Sequence, residues 1–212
     1  IIGSGLGGVV NIPGQDYLSF MAPGILGMVL LMGSIFSGVL VIMDRQFGFL
    51  RETLVAPVSR LSIVLGKALG GATTAMIQGL LMLGIALLLG VEIDLAGLPL
   101  ALILMLIISL SFVSVGIALA SVMNDMHGFQ LVMNFLVMPM FFLSGALFPL
   151  DKAPPILQML SHIDPLTYAV SGLRTLLVGG ESMGLETSFG VMSIFLIISL
   201  VVASYLFGKI ED

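Results

Sequence analysis

Long apolar runs separated by short polar gaps dominate the chain. Five of them are long enough to cross a bilayer: 20–43, 61–89, 98–123, 129–147 and 189–207. A spanning helix needs about 20 mostly apolar residues at about 1.5 Å each. The runs lack the two-residue alternation of barrel strands, so helices, which satisfy their own backbone polar groups, are required. Charge is nearly absent inside them. Lys67 stands near one end of the second, where its stem can snorkel to the interface. Two shorter stripes precede the last run: Ile156, Leu160, Ile163, then Leu166, Val170, Leu173, Leu177. Each is too short to span, and Pro154, Pro155 and Pro165 suit helix starts. They predict two interfacial or half-inserted helices that pack as a lid on the bundle.

Composition adds that the surface faces lipid. The chain is 58% hydrophobic and 9% charged, against about 25% charged in a soluble domain. We read one all-α domain over residues 1–212, a polytopic membrane helix bundle. With no cysteine there is no disulfide framework or thiolate metal site. Nothing basic enough to hold nucleic acid is present. The chain begins at Ile1 without a signal-peptide pattern, and we expect an N-terminal truncation.

Charge placement sets the expected orientation. Arg45, Arg51, Arg60, Lys67 and Lys209 fall on one side, which the Asp125 loop shares. The other side has Lys152 and Arg174 against Asp16, Glu92, Asp94, Asp151, Asp164, Glu181 and Glu186. An excess of Lys and Arg marks the cytoplasm, so the Arg51 loop and the C-terminus are placed there.

The segment 44–60 is the most informative loop. Phe47, Leu50, Leu54 and Val58 share one helical face; Arg45, Gly48, Glu52 and Ser59 share the other. This predicts a short amphipathic helix ending near Pro57. It either buries its apolar face among lipid headgroups or docks a cytoplasmic partner through Phe and Arg anchors. The polar residues within spans, Thr73, Thr74, Gln78, Ser109, Ser111, Ser114, Ser121 and Asn134, are expected to bond between helices, and a substrate path is the sharper alternative. Gly66, Gly70 and Thr74, like Ser34 and Gly38, form small-residue stripes suited to close packing. Met133, Met138 and Met140 read as lipid-facing or core filler.

Catalytic patterns are missing from the sequence. There is no phosphate-binding loop around Lys67 and no zinc-type His pair. No paired carboxylates lie within a span, and Ser144 has no accompanying base.

The order of features resembles the permease subunits of type-2 ABC transporters, the exporter group for drugs, polysaccharides and lipids. Three stretches carry the resemblance. The first is Arg51-Glu52-Thr53-Leu54 and Pro57-Val58-Ser59-Arg60 followed by Leu65-Gly66-Lys67. The second is Phe142-Leu143-Ser144-Gly145-Ala146-Leu147-Phe148-Pro149. The third runs from Pro154-Pro155 through Asp164-Pro165-Leu166-Thr167-Tyr168 to Leu173-Arg174. Asp44 matches the family's first acid before Arg, while Gln46 replaces a usual acid.

By this resemblance, Arg45, Phe47, Phe49, Leu50, Arg51, Glu52, Leu54 and Pro57 belong to a coupling helix seated in a separate ABC ATPase subunit. Ser144, Gly145, Phe148, Pro149, Pro154, Pro165, Tyr168 and Arg174 form the external helix motif. The family's six spans imply that the first lies outside these residues. A second permease subunit completes the path in a multi-pass protein of the cell membrane. ATP and Mg bind the ATPase, and this chain binds no cofactor and is no enzyme by itself. The competing reading is a self-sufficient secondary transporter or channel. Such proteins usually show mid-membrane ionisable residues or paired broken helices, and the sequence has neither.

Overall fold

A computed structural model describes residues 17–49, 59–123, 125–150, 153–179 and 183–209. Among them are eight helices and no strand: α1 Tyr17–Phe36, α2 Gly38–Gln46, α3 Arg60–Leu88, α4 Leu98–Val122, α5 Met126–Leu143, α6 Pro155–Ser161, α7 Pro165–Val178 and α8 Leu185–Phe207. Five stretches are long and apolar enough to cross a membrane, with α1 and α2 together making the first, Tyr17–Gln46. The fold is thus the expected helical bundle.

Local chemistry sets the element ends. Ser59 caps α3 by accepting from Ser62 N at 3.2 Å, and Asp125 caps α5 by accepting from Gly128 N at 2.7 Å. Both supply the side-chain oxygen that free N–H groups at a helix start require. α7 ends at Gly179 in the left-handed conformation, φ 72°, where a glycine costs least. The apolar run 20–43 gave no sign that α1 and α2 separate at Ser37. There, Ser37 N bonds Ser34 O and Leu40 N bonds Ser37 O, at 3.1 and 3.2 Å. This is a single tight 3₁₀ turn, with the Ser37 hydroxyl also on Ser34 O at 2.6 Å.

α4 is the hub of the bundle. Leu104, Met105, Ile108, Phe112, Val113 and Ile117 are buried against Leu26, Leu30 and Ile35 of α1 and Met192 of α8. The Phe112 and Phe195 rings pack with centroids 5.5 Å apart. α7 packs inside the bundle as well: Leu166, Val170, Leu173 and Leu177 are all buried, as the stripe predicts. α6 buries Ser161 alone, with Ile156 on it and Ile163 just past it 74% and 78% exposed, so this stripe lies at the bundle's surface and not in its core. Its seven residues are too few to present a stripe wide enough to grip the bundle.

The polar residues of the spans also correct an expectation. Ser111, Ser114 and Ser121 donate to Ile107 O, Leu110 O and Ile117 O, each at 2.7 Å. Thr73 and Thr74 likewise donate to Leu69 O and Gly70 O. These hydroxyls serve the carbonyl four residues back in their own helix, which needs no neighbour, rather than crossing between helices.

Small residues bring backbones together at one crossing. A Cβ on Gly38 would overlap the Gly116 carbonyl, and one on Gly116 would sit 2.5 Å from Ile35 O. By contrast, a Cβ on Gly66 or Gly70 would meet nothing within 4 Å, and both residues are exposed. Gly116→Val is therefore expected to destabilise the bundle by about 1–3 kcal/mol through overpacking. Gly84→Val, where nothing lies within 4 Å, is expected to be near neutral. Thermal unfolding of the two variants in detergent distinguishes these outcomes.

Candidate functional site

The residues singled out by sequence gather at opposite ends of the bundle. At the first end, α2 continues the membrane helix through Asp44 and Arg45 to Gln46. These residues are thus its last turn, not the start of a separate surface helix at 44. The guanidinium of Arg45 donates to Ser121 O at 3.0 Å and Met123 O at 3.2 Å. Those carbonyls close α4, where unpaired acceptors and the helix dipole favour a cation. The neighbouring Asp44 carboxylate takes the Lys67 ammonium at 2.5 Å. Lys67 therefore reaches across to α2, which sequence reasoning missed; the opposite charges one turn from two span ends were the available signal.

Arg60 donates to the Gly208 carbonyl, so the start of α3 and the end of α8 share this end. Lys209 stands 4.5 Å from the Tyr205 ring centroid. Beyond α2, Phe47 and Phe49 are 67% and 59% exposed. Leu50, Arg51, Glu52, Leu54 and Pro57 lie outside the described residues.

At the opposite end, Arg174 of α7 is the fastener. It donates to Gly145 O at 3.0 Å and to Phe20 O at 3.4 Å. Its guanidinium lies 3.9 Å over the Phe20 ring, a cation–π contact. One side chain thus ties α7 to α1 and to the turn that follows α5. Gly145 makes that turn at φ 69°, and Ser144 closes α5 by donating to Phe141 O at 2.8 Å. Tyr168 donates to His162 O at 3.0 Å, pinning the α6–α7 junction. Phe148 and Pro149 are half-buried, Pro154 is exposed, and Pro165 opens α7. Phe20 had no sequence signal, because nothing separates it from the other apolar residues of its run.

Asp164 caps α7 from a buried position, accepting from Leu166 N at 3.0 Å. Its carboxyl is pushed up to about 7, since desolvation outweighs the hydrogen bonds from Leu166 and Thr167. No base and nucleophile are brought together at either end among the described residues. The arrangement fastens helices and presents surfaces.

On one flank, a groove of about 480 Å³ runs between α1–α2 and α3, lined by Phe36, Ser37, Leu40, Gly70, Thr74 and Gln78. The small-residue stripe Gly70–Thr74 thus forms one wall of this groove.

The family model described as "ABC-2 type transporter" matches residues 1–178. The ycf38 protein of Cyanophora paradoxa, a transport permease by name, is 33% identical over 164 residues. That alignment covers 76% of this chain and 57% of the relative. The inner membrane transport permease YadH of Escherichia coli K12 is 27% identical over 93% of this chain and 76% of its own length. Nodulation protein J of Rhizobium leguminosarum bv. viciae is 27% identical over 98% of this chain and 81% of its own. The chain therefore spans little more than half of the first relative and about three quarters or more of the other two.

The Asp164 carboxyl gives a pH signature. Between its ordinary 3.8 and about 7, the folded protein holds a proton that the unfolded chain releases. Raising the pH through that window therefore favours unfolding, and above it the dependence ends. The unfolding temperature is expected to fall as the pH rises from about 4 to about 7, and Asp164→Asn to flatten that slope. Melting curves across the window check both.

Proposed function

This chain belongs to the ABC-2 type transporter family, and we propose that it is the membrane-spanning permease subunit of an ATP-driven exporter. A separate ABC ATPase binds ATP and Mg and supplies the energy, while this chain and a second permease subunit form the path. The observation that carries this is at the end of α2. Two large aromatic side chains, Phe47 and Phe49, stand exposed just past a helix end held to α4 by Arg45. An aromatic knob on an anchored base is what a protein partner grips, because ordering it costs little.

Arg45, Arg60, Lys67 and Lys209 share that end, as the Arg60–Gly208 and Arg45–Met123 contacts support. The positive-inside rule then puts it in the cytoplasm of a cell membrane protein, where an ATPase is available. The same proposal assigns Leu50, Arg51, Glu52, Leu54 and Pro57 to ATPase docking. At the external end, the Arg174 fastener holds α7 to α1 and to the Gly145 turn while the cytoplasmic end is moved.

The test is docking. Phe47→Ala and Arg51→Glu are expected to cut recovery of the ATPase with the detergent-solubilised permease at least tenfold, with the permease melting temperature unchanged. Equal recovery with both variants would remove the coupling role.

A further inference from the structure

We propose that α2 is a separately moving lever, pivoting at Ser37–Gly38 and latched to α3 by the Asp44–Lys67 ion pair. The coupling part of this inference rests on the reading above; the latch itself does not. Three independent features meet in α2. The first is the pivot. The 3₁₀ turn at Ser37 interrupts a 30-residue membrane stretch, and mid-helix 3₁₀ turns at Ser and Gly allow a helix to bend. Gly38 lies directly on the Gly116 carbonyl, so this point is pinned by backbone contact with α4.

The second feature is room to move. α1 above the pivot buries Leu30, Leu31 and Ile35 completely, and its outer residues Met32, Gly33 and Phe36 face the groove beside α3. α2 below it has space on two sides. A cleft of about 220 Å³ opens where α2, α3 and α4 meet, lined by Leu40, Val41, Gly70, Gly71 and Ile117. A second space of about 330 Å³ lies toward α5, bounded by Val39, Leu40, Met126, Phe129 and Gln130. Both are open grooves beside the exposed Leu40 side of the nine-residue α2, whose Val41 and Ile42 stay buried, and they leave room for a modest shift of its outer side.

The third feature is the latch. Asp44 and Lys67 join α2 to α3 across the first of these spaces, with 33% and 22% exposure. A partly solvated pair of this kind is weak enough to open under a modest pull. Arg45 adds a tether to the last carbonyls of α4, and its long stem keeps contact as the helix tip moves. Asp44 and Lys67 are thus positioning residues. They set the resting angle of α2, and a pull on the exposed Phe47 and Phe49 releases it. A swing of about 20° over a helix about 13 Å long moves its tip by about 4–5 Å.

The chain has no cysteine, so spin labels are placed cleanly. Gln46→Cys marks the exposed lever tip and Val201→Cys, 62% exposed, marks α8; Leu81→Cys with Val201→Cys is the bundle control. In nucleotide-free permease in lipid nanodiscs, the Gln46–Val201 pair is expected to give one narrow distance population. Lys67→Met should add a second population displaced by about 4 Å. The exchange Asp44→Lys with Lys67→Asp should restore the first, and the control pair should stay still. In the complex with its ATPase, trapping with ATP and vanadate should shift the parent to the second population.

An unchanged Gln46–Val201 distribution in Lys67→Met would overturn the latch. An equal shift in the control pair would overturn the lever, since the whole bundle would be moving. A complex that hydrolyses ATP while the parent distribution stays fixed would overturn the lever's role in coupling. If no ATPase accompanies the chain, the permease reading fails, while the nucleotide-free measurement still decides the latch.

Discussion

The backbones of two membrane helices touch where Gly38 and Ile35 meet Gly116, and the rest of the bundle is arranged around that contact. In lipid there is no hydrophobic gain in bringing apolar helices together, so association depends on close packing. Only a residue without a Cβ lets the carbonyl of one helix settle against the other. Once α1 and α4 are drawn together there, Leu30, Ile35, Phe112 and Ile117 interlock beside the crossing, and α7 and α8 complete the layer around α4. A larger residue at Gly116 would move both helices apart and loosen contacts along their whole length.

Charge obeys a second constraint. Ser111, Ser114 and Ser121 within the bundle bond their own helix, while Arg45, Arg174 and the Asp44–Lys67 pair stand toward the ends. At each end an arginine binds backbone carbonyls: Arg45 holds the terminus of α4, and Arg174 holds Gly145 and Phe20. The planar, always-charged guanidinium can serve two acceptors at once, which lets one side chain join three chain segments. The Arg174 fastener is embedded among packed helices and the Phe20 ring. The opposite one lies beside open space and a half-buried ion pair. That asymmetry matches a protein held still at one end and worked from the other.

Much of this was legible in the sequence. The five spans follow from run length and absence of charge, and α7 from the stripe Leu166, Val170, Leu173, Leu177. The motif residues Gly145, Pro165, Tyr168 and Arg174 were located by resemblance, but their joint fastening was not readable, because Phe20 and the Gly145 carbonyl reach Arg174 only through the fold. The break at Ser37 was also hidden: a serine–glycine pair inside an apolar run has no distinguishing period. The hydroxyls of Ser111, Ser114 and Ser121 were expected to bridge helices and instead fold back, since a local acceptor is always within reach. Lys67 was expected at the interface, and its partner Asp44 became visible only when α2 and α3 lay side by side.

A permease powered by a separate ATPase would be recovered together with it. The most direct measurement is the mass of the intact assembly released from native membranes in mild detergent, with the complete permease present. If this chain is the permease of an ATP-driven exporter, the dominant species contains permease together with an ATPase, and hydrolyses ATP. Recovery of the permease alone, moving solute down an ion gradient after reconstitution, would contradict that role and establish a self-sufficient transporter.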